Sequence, residues 1–277
     1  MVGNFVERWY QIELEWIKSI DQFRTPFLDQ FFIGLDFFDT KVFYILLVTI
    51  VWIGIHWRWG LRLLAILITN TLMNELLKRV FQEPRPLNLD PSVGLIEVSG
   101  YGFPSGTAQS VMLLTGIALI YIKSPWKWVI AVTYFPLVSF SRIYLGVHFL
   151  SDILGGWLVG GLLLLLFVYL FPPLERKLEK TPFLYLFIFC ELVGLLLYKT
   201  HYGAFIICLG VGLAITYYFQ SFLPHVKNFR LFFLRSLVGL IGIGLCLVIF
   251  KTNSIWFSIV ASLWISCGSQ LTLSALK

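Results

Sequence analysis

The sequence predicts an all-α, polytopic membrane protein, a bundle of about nine transmembrane helices with an interfacial helix in front. Three observations carry this expectation. Of the 277 residues, 58% are hydrophobic and 13% charged, whereas ordinary soluble domains carry about a quarter charged residues. The mean hydropathy is +0.83. The apolar residues also collect into stretches near the roughly 20 residues a helix needs to cross a bilayer.

Taken in order, Phe5 to Ile20 alternate apolar and charged positions with a helical period. Phe5, Trp9, Ile12, Leu14, Trp16, Ile17 and Ile20 fall against Glu7, Arg8, Glu13 and Lys18. This predicts an amphipathic helix lying in the membrane interface with its tryptophans at headgroup level, or one packed on the mouth of a site. The early charges do not fit a cleavable signal peptide. A short apolar piece from Phe27 to Phe38, interrupted by Asp29, Gly34 and Asp36, reads as a second interfacial helix. Spans follow at 41–57, 59–80, 105–122, 127–144 and 149–171, then at 183–198, 203–221, 231–250 and 253–275. Pro172-Pro173 through Pro182 is a polar linker. The expected organisation is an interfacial segment 1–40, a five-span core 41–171, a cytoplasmic linker 172–182 and a four-span region 183–277.

The net charge of +6 matters through its distribution. With the N-terminus outside, one set of loops receives Arg58, Arg62, Lys123, Lys127, Arg176, Lys177, Lys180, Lys227 and Arg230, and Lys277 falls on the same side. The opposite loops receive little beyond Lys199 and Lys251, apart from the N-terminal helix and the charged residues discussed below. Excess Lys and Arg mark the cytoplasm, so the other face, which carries those charged residues, is expected outside it, with the cell membrane as the location. No basic patch interleaved with aromatics suggests a nucleic-acid partner. Cys190, Cys208, Cys246 and Cys267 all lie in apolar runs without metal-type spacing and read as packing residues.

The plausible catalytic side chains collect in three pieces between Lys78 and Asp152: Lys78 through Arg85-Pro86, Pro104-Ser105-Gly106-Thr107, and Ser141-Arg142 followed by His148 and Asp152. Lys78, Arg85 and Arg142 supply fixed positive charge, and the planar guanidinium fork suits phosphate oxygens. Pro86 is expected to stop a helix beyond Arg85. Ser105 and Gly106 open a span whose free backbone N–H groups make an anion cradle, with Ser105 as its cap. His148 and Asp152 are four apart, on one helical face, so the carboxylate fixes the imidazole tautomer and leaves the other nitrogen free to attack. Taken singly, each piece has a bland reading: a juxtamembrane anchor, a helix start, a snorkelling arginine, a polar pair between helices. Together, in order and at one membrane face, they predict a phosphoryl-transfer site. Nothing in the pattern calls for a metal or cofactor.

These pieces resemble the three signatures of the type 2 phosphatidic-acid phosphatase superfamily, KxxxxxxRP, PSGH and SRxxxxxHxxxD. The nine-span arrangement is similar to that of the glucose-6-phosphatase members. The resemblance implies a membrane lipid phosphatase acting on a lipid phosphate or isoprenoid diphosphate. It implies a phosphohistidine at His148 oriented by Asp152, and phosphate binding by Lys78, Arg85, Ser105, Gly106 and Arg142. The sequence departs from the family at Thr107, where the family has a histidine that protonates the leaving group. Three explanations stay open: an enzyme specialised for diphosphates, a silenced homologue, or an introduced substitution. The alternative function is a non-catalytic lipid-phosphate binding or transport-like homologue. Among other groups, His201 falls on the expected site face, and Glu75, one turn before Lys78, reads as an ion-pair partner.

Overall fold

The computed structural model describes residues 2–55, 57–170, 172–173, 229–249 and 254–265, and every regular element among them is helical. The helices are α1 (Val2–Asp21), α2 (Pro26–Leu35), α3 (Lys41–Thr49, continuing as a π turn over Ile50–Ile55), α4 (Trp57–Phe81), α5 (Pro86–Leu89), α6 (Gly106–Tyr121), α7 (Trp126–Tyr144), α8 (Leu150–Tyr169), α9 (Phe229–Ile249) and α10 (Ile255–Leu263). A 3-10 turn, Asp36–Asp39, follows α2, and another, Pro91–Val93, follows α5.

Among the described residues, Leu150–Tyr169 and Arg230–Ile249 are long and apolar enough to cross a bilayer. The fold is thus an all-α polytopic membrane bundle. The expected spans at 183–198 and 203–221, together with Cys190, Cys208, Cys267 and His201, lie outside the described residues.

The chain divides into two compact units, one of Met1–Thr40 with Ile66–Phe171, the other of Lys41–Ala65 with Pro172–Lys277. In the first, α6 packs against α7 and, most extensively, α8. Close approach of α8 depends on small residues. A Cβ on Gly156 would stand 2.6 Å from the Ser105 carbonyl oxygen, and one on Gly160 would collide with the Gln109 backbone. This Gly156-x-x-x-Gly160 spacing is the familiar device for bringing membrane helices into contact. Trp157 Nε1 donates to Ser139 Oγ at 3.1 Å, tying α8 to α7. Phe32 of α2 stacks on Tyr144 of α7 with ring centroids 4.1 Å apart.

The buried face of α1 is the apolar one its periodicity suggests, with one charged residue added. Leu14 and Ile17 pack against Val93 and Phe149, but Glu13 is buried beside them at 2% exposure, while Trp9 and Trp16 are 44% and 48% exposed. The reason is a specific bond pair: Glu13 accepts from the Ser151 N–H at 2.8 Å and from Ser151 Oγ at 2.7 Å. The carboxylate thereby serves free donors in the first turn of α8. Burial raises its pKa above the usual carboxylate value, and the bonds from Ser151 oppose that shift.

In the second unit, α3 and its π turn lie along α9. Trp52 is fully buried. A Cβ on Gly239 would meet Ile53 at 2.7 Å, so α9 can approach there only with glycine. Trp264 Nε1 donates to the Gly239 carbonyl at 3.2 Å. Cys246 of α9 is a buried free thiol, as expected of a packing residue.

Candidate active site

Four local features of the first unit bring the site together. Lys78 lies in the last turn of α4, which closes with the Gln82 N–H on the Lys78 carbonyl at 2.9 Å. The chain then runs to Arg85, where Pro86, rather than ending helix, begins the short α5. Proline is well suited to a first helical position because its fixed φ is helical and its missing N–H is not needed there. Ser105 caps α6, its Oγ accepting from the Ala108 N–H at 3.4 Å. At the end of α7, Gly146 adopts a φ of +69°, and the Val147 and His148 N–H groups return to the Arg142 carbonyl at 3.1 and 3.3 Å. A Cβ at Gly146 would strike the Val93 backbone. This left-handed turn, favoured by glycine, redirects the chain so that His148 stands just before α8.

His148 Nδ1 is 3.0 Å from Asp152 Oδ2, and the same oxygen accepts from the Phe149 N–H at 3.0 Å. His148 Nε2 is 3.0 Å from Arg85 Nη1. A guanidinium can only donate, so Nε2 holds a lone pair and the proton resides on Nδ1, directed at Asp152. Burial, with Arg85, Lys78 and Arg142 nearby, holds the His148 pKa well below the usual histidine value. The imidazole is therefore neutral. Arg85 is itself pinned, donating from Nη1 to the Val147 carbonyl at 2.9 Å and from Nε to the Gly100 carbonyl at 3.0 Å.

Arg142 is buried at 1% exposure. Its Nη1 is 2.7 Å from Asp36 Oδ1 and 3.7 Å from Asp39 Oδ2, and its Nε donates to Ser141 Oγ at 3.2 Å. Its Nη2 is buried without a hydrogen-bond partner among the described residues. Ser105 donates its N–H to the Asp152 carbonyl at 2.9 Å. A Cβ on Gly106 would stand 2.9 Å from Asn74 Oδ1, so the cradle's glycine also sits against a second layer. Lys78 interacts electrostatically with Arg85, Glu75, Asp39 and Asp152. Thr107, 2% exposed, places its side chain beside the Asp39 carboxylate. All eight residues singled out in the sequence thus belong to one unit, and Arg85, His148 and Asp152 form a continuous hydrogen-bonded chain.

Several supporting groups escape sequence reasoning. Asp36 and Asp39 precede the motifs by tens of residues and carry no signature of their own. Beneath the site, Asn74 Nδ2 donates to the Pro104 carbonyl at 3.1 Å and to Gln109 Oε1 at 3.0 Å. Gln109 Nε2 donates to Asn70 Oδ1 at 3.0 Å, and Asn70 Nδ2 to Ser110 Oγ at 2.9 Å. This buried amide chain holds α4 to α6. Its signal was the pair Asn70 and Asn74, one turn apart inside an apolar helix, where polar side chains must find partners. Among the described residues, no three His, Cys, Asp or Glu side chains form a group able to hold a metal.

Comparison with known proteins agrees with this architecture. The family model described as the PAP2 superfamily matches residues 59–176. An undecaprenyl-diphosphatase of Sulfolobus acidocaldarius is 34% identical over 104 residues, covering 36% of this chain and half (50%) of the relative's own length. Phosphatidylglycerophosphatase B of Bacillus subtilis is 31% identical over 176 residues, covering 59% of this chain and 83% of that protein. The crystal structure of a transmembrane PAP2-type phosphatidylglycerolphosphate phosphatase from Bacillus subtilis aligns with a TM-score of 0.50 and 26% identity, over 62% of this chain and 88% of that one. That of Aquifex aeolicus LpxE aligns with a TM-score of 0.50 and 25% identity, over 56% and 93%. A transmembrane relative and two spanning helices make this an integral membrane protein. The family match runs from α4 through α8, where the whole constellation lies, and the 31%-identical relative is matched over 83% of its length: this chain belongs to the PAP2 superfamily.

Proposed function

We propose that this chain is a membrane lipid phosphatase that removes a phosphate from a lipid phosphate or isoprenoid diphosphate through a phosphohistidine at His148. One observation carries the reading: a neutral histidine whose Nδ1 proton is held by Asp152 turns its Nε2 lone pair toward Arg85, in the field of Lys78 and Arg142. Attack by Nε2 builds positive charge on the ring, which Asp152 offsets. Charge on the phosphoryl oxygens is met by Lys78, Arg85, Arg142 and the first N–H groups of α6 above Ser105 and Gly106. The unpartnered Arg142 Nη2 supports this further, because a buried charged donor is costly to leave unmade and a phosphate oxygen would satisfy it. Water then hydrolyses the phosphohistidine.

The names of the relatives, an undecaprenyl-diphosphatase and a phosphatidylglycerophosphatase, favour a membrane lipid as substrate. The proposed organisation keeps 41–171 as the five-span catalytic core, with the site on the non-cytoplasmic face of the cell membrane as the loop charges indicate. Purified protein supplied with a panel of lipid monophosphates and diphosphates should release inorganic phosphate, and His148→Ala should reduce release by at least about 10³-fold, the scale seen when a nucleophile is removed. Binding of these lipids without release by the unaltered protein would instead favour the non-catalytic reading.

A further inference from the structure

We propose that Asp39 is the proton donor to the leaving group, occupying the place in the reaction that Thr107 leaves open; this rests on the phosphatase reading above. The hydroxyl of Thr107 is buried and cannot protonate a leaving oxygen near neutral pH, but its side chain lies beside the Asp39 carboxylate. The Asp39 side chain is 43% exposed where Thr107 is only 2% exposed. The side chain of Asp39 therefore reaches surface that the threonine does not. Its Oδ2 is 3.7 Å from Arg142 Nη1, and it interacts electrostatically with Lys78 and Arg85 as well. A carboxyl within the field of all three cations shares their focal point, where a phosphate would bind.

Asp36 and Asp39 both face Arg142, but they differ in their other contacts. Asp36 is the tight partner, 2.7 Å from Nη1, and accounts for the placement of the guanidinium. Asp39 is farther from Arg142 and is the one beside Thr107. Binding supplies its proton. Two negative groups sharing one site cannot both stay fully ionised cheaply, so an arriving phosphate dianion favours protonation of the neighbouring carboxyl. The step then balances. His148 Nε2 forms the P–N bond as the bond from phosphorus to the leaving oxygen breaks, and the Asp39 proton passes to that oxygen. In the second half, Asp39 carboxylate takes a proton from the attacking water, the new P–O bond forms, the P–N bond breaks, and inorganic phosphate leaves.

A general acid matters in proportion to the basicity of the leaving oxygen, and a merely structural ion pair does not. The test is turnover of a soluble alkyl phosphate, a poor leaving group, and of nitrophenyl phosphate, a good one, by the full-length protein in detergent. Asp39→Asn should lose about 10²–10⁴ in kcat/KM on the alkyl ester, the usual worth of a general acid, and less than about tenfold on the nitrophenyl ester. Asp36→Asn removes the same charge beside Arg142 and should lose alike on both. Thr107→Val, nearly isosteric and uncharged, reads the same point should Asp39→Asn fail to fold: its loss should again be larger on the alkyl ester. Equal losses on the two esters for both Asp39→Asn and Thr107→Val, or no loss on either, would overturn the role of Asp39. Failure of the unaltered protein to release phosphate from any ester or lipid would overturn the phosphatase reading instead.

Discussion

His148 shows how much chemistry three contacts can set. Arg85 can only donate, so Nε2 must accept; Asp152 accepts, so Nδ1 must carry the proton. Burial and three cations disfavour a second proton. In isotope-labelled histidine NMR of the free protein, His148 should remain neutral with Nδ1 protonated as the pH is lowered past about 6.5, where a solvated histidine titrates. The sign for stability follows. The unfolded chain takes up this proton more readily than the folded one, so His148 works against stability as the pH falls below about 6.5. A signal absent from His148→Ala that titrates near 6.5 would mean the imidazole is not held neutral. The gathering of Arg85, His148 and Asp152 was legible because each sits in a short sequence block whose spacing encodes a helix end or an i, i+4 pair. Asp39 and Asp36 were not. Their partner Arg142 lies over a hundred residues away, and no local pattern distinguishes a carboxylate that will meet it from one that will face headgroups.

At the scale of elements, the site depends on how closely α8 lies on α6. Ser105 and Asp152 are joined through the backbone, and the contact is possible because Gly156 and Gly160 have no side chains. Gly156→Val would press on the Ser105 carbonyl, the Ala108 side chain and the Gln109 N–H, of which two are backbone and cannot give. Overpacking of this kind costs about 1–3 kcal/mol, and here it would also pull Asp152 from its place. Gly161→Ala meets only the flexible end of Met112 at 3.5 Å and should be neutral. Thermal melting and turnover of the two variants check this: both measures fall for Gly156→Val and neither for Gly161→Ala. Equal tolerance would mean the helices do not need the glycines. The long helices of the first unit were legible, since apolar stretches mark them to within a few residues, and α6 begins where the serine cap indicates. The burial of Glu13 was not, because it reads as solvated until Ser151 and the start of α8 are there to receive it. The Asn70–Gln109 chain was half visible: polar residues in an apolar helix announce a need for partners without naming them.

For the whole molecule, the charge asymmetry of the loops leads to a placement in the membrane. Single cysteines introduced near Ser92 and near Lys177 should react with a membrane-impermeant reagent from outside the cell at the first position and only from the cytoplasm at the second. The reverse pattern would invert the topology and put the site inside. The proposed chemistry rests in the end on one bond, between His148 Nε2 and phosphorus. The direct measurement is to mix purified protein with a lipid phosphate labelled at phosphorus, quench in alkali, and map the label after proteolysis. The account predicts an alkali-stable, acid-labile label on the peptide carrying His148, absent from His148→Ala together with turnover. Undiminished phosphate release by His148→Ala, or a label carried by another residue, would contradict it.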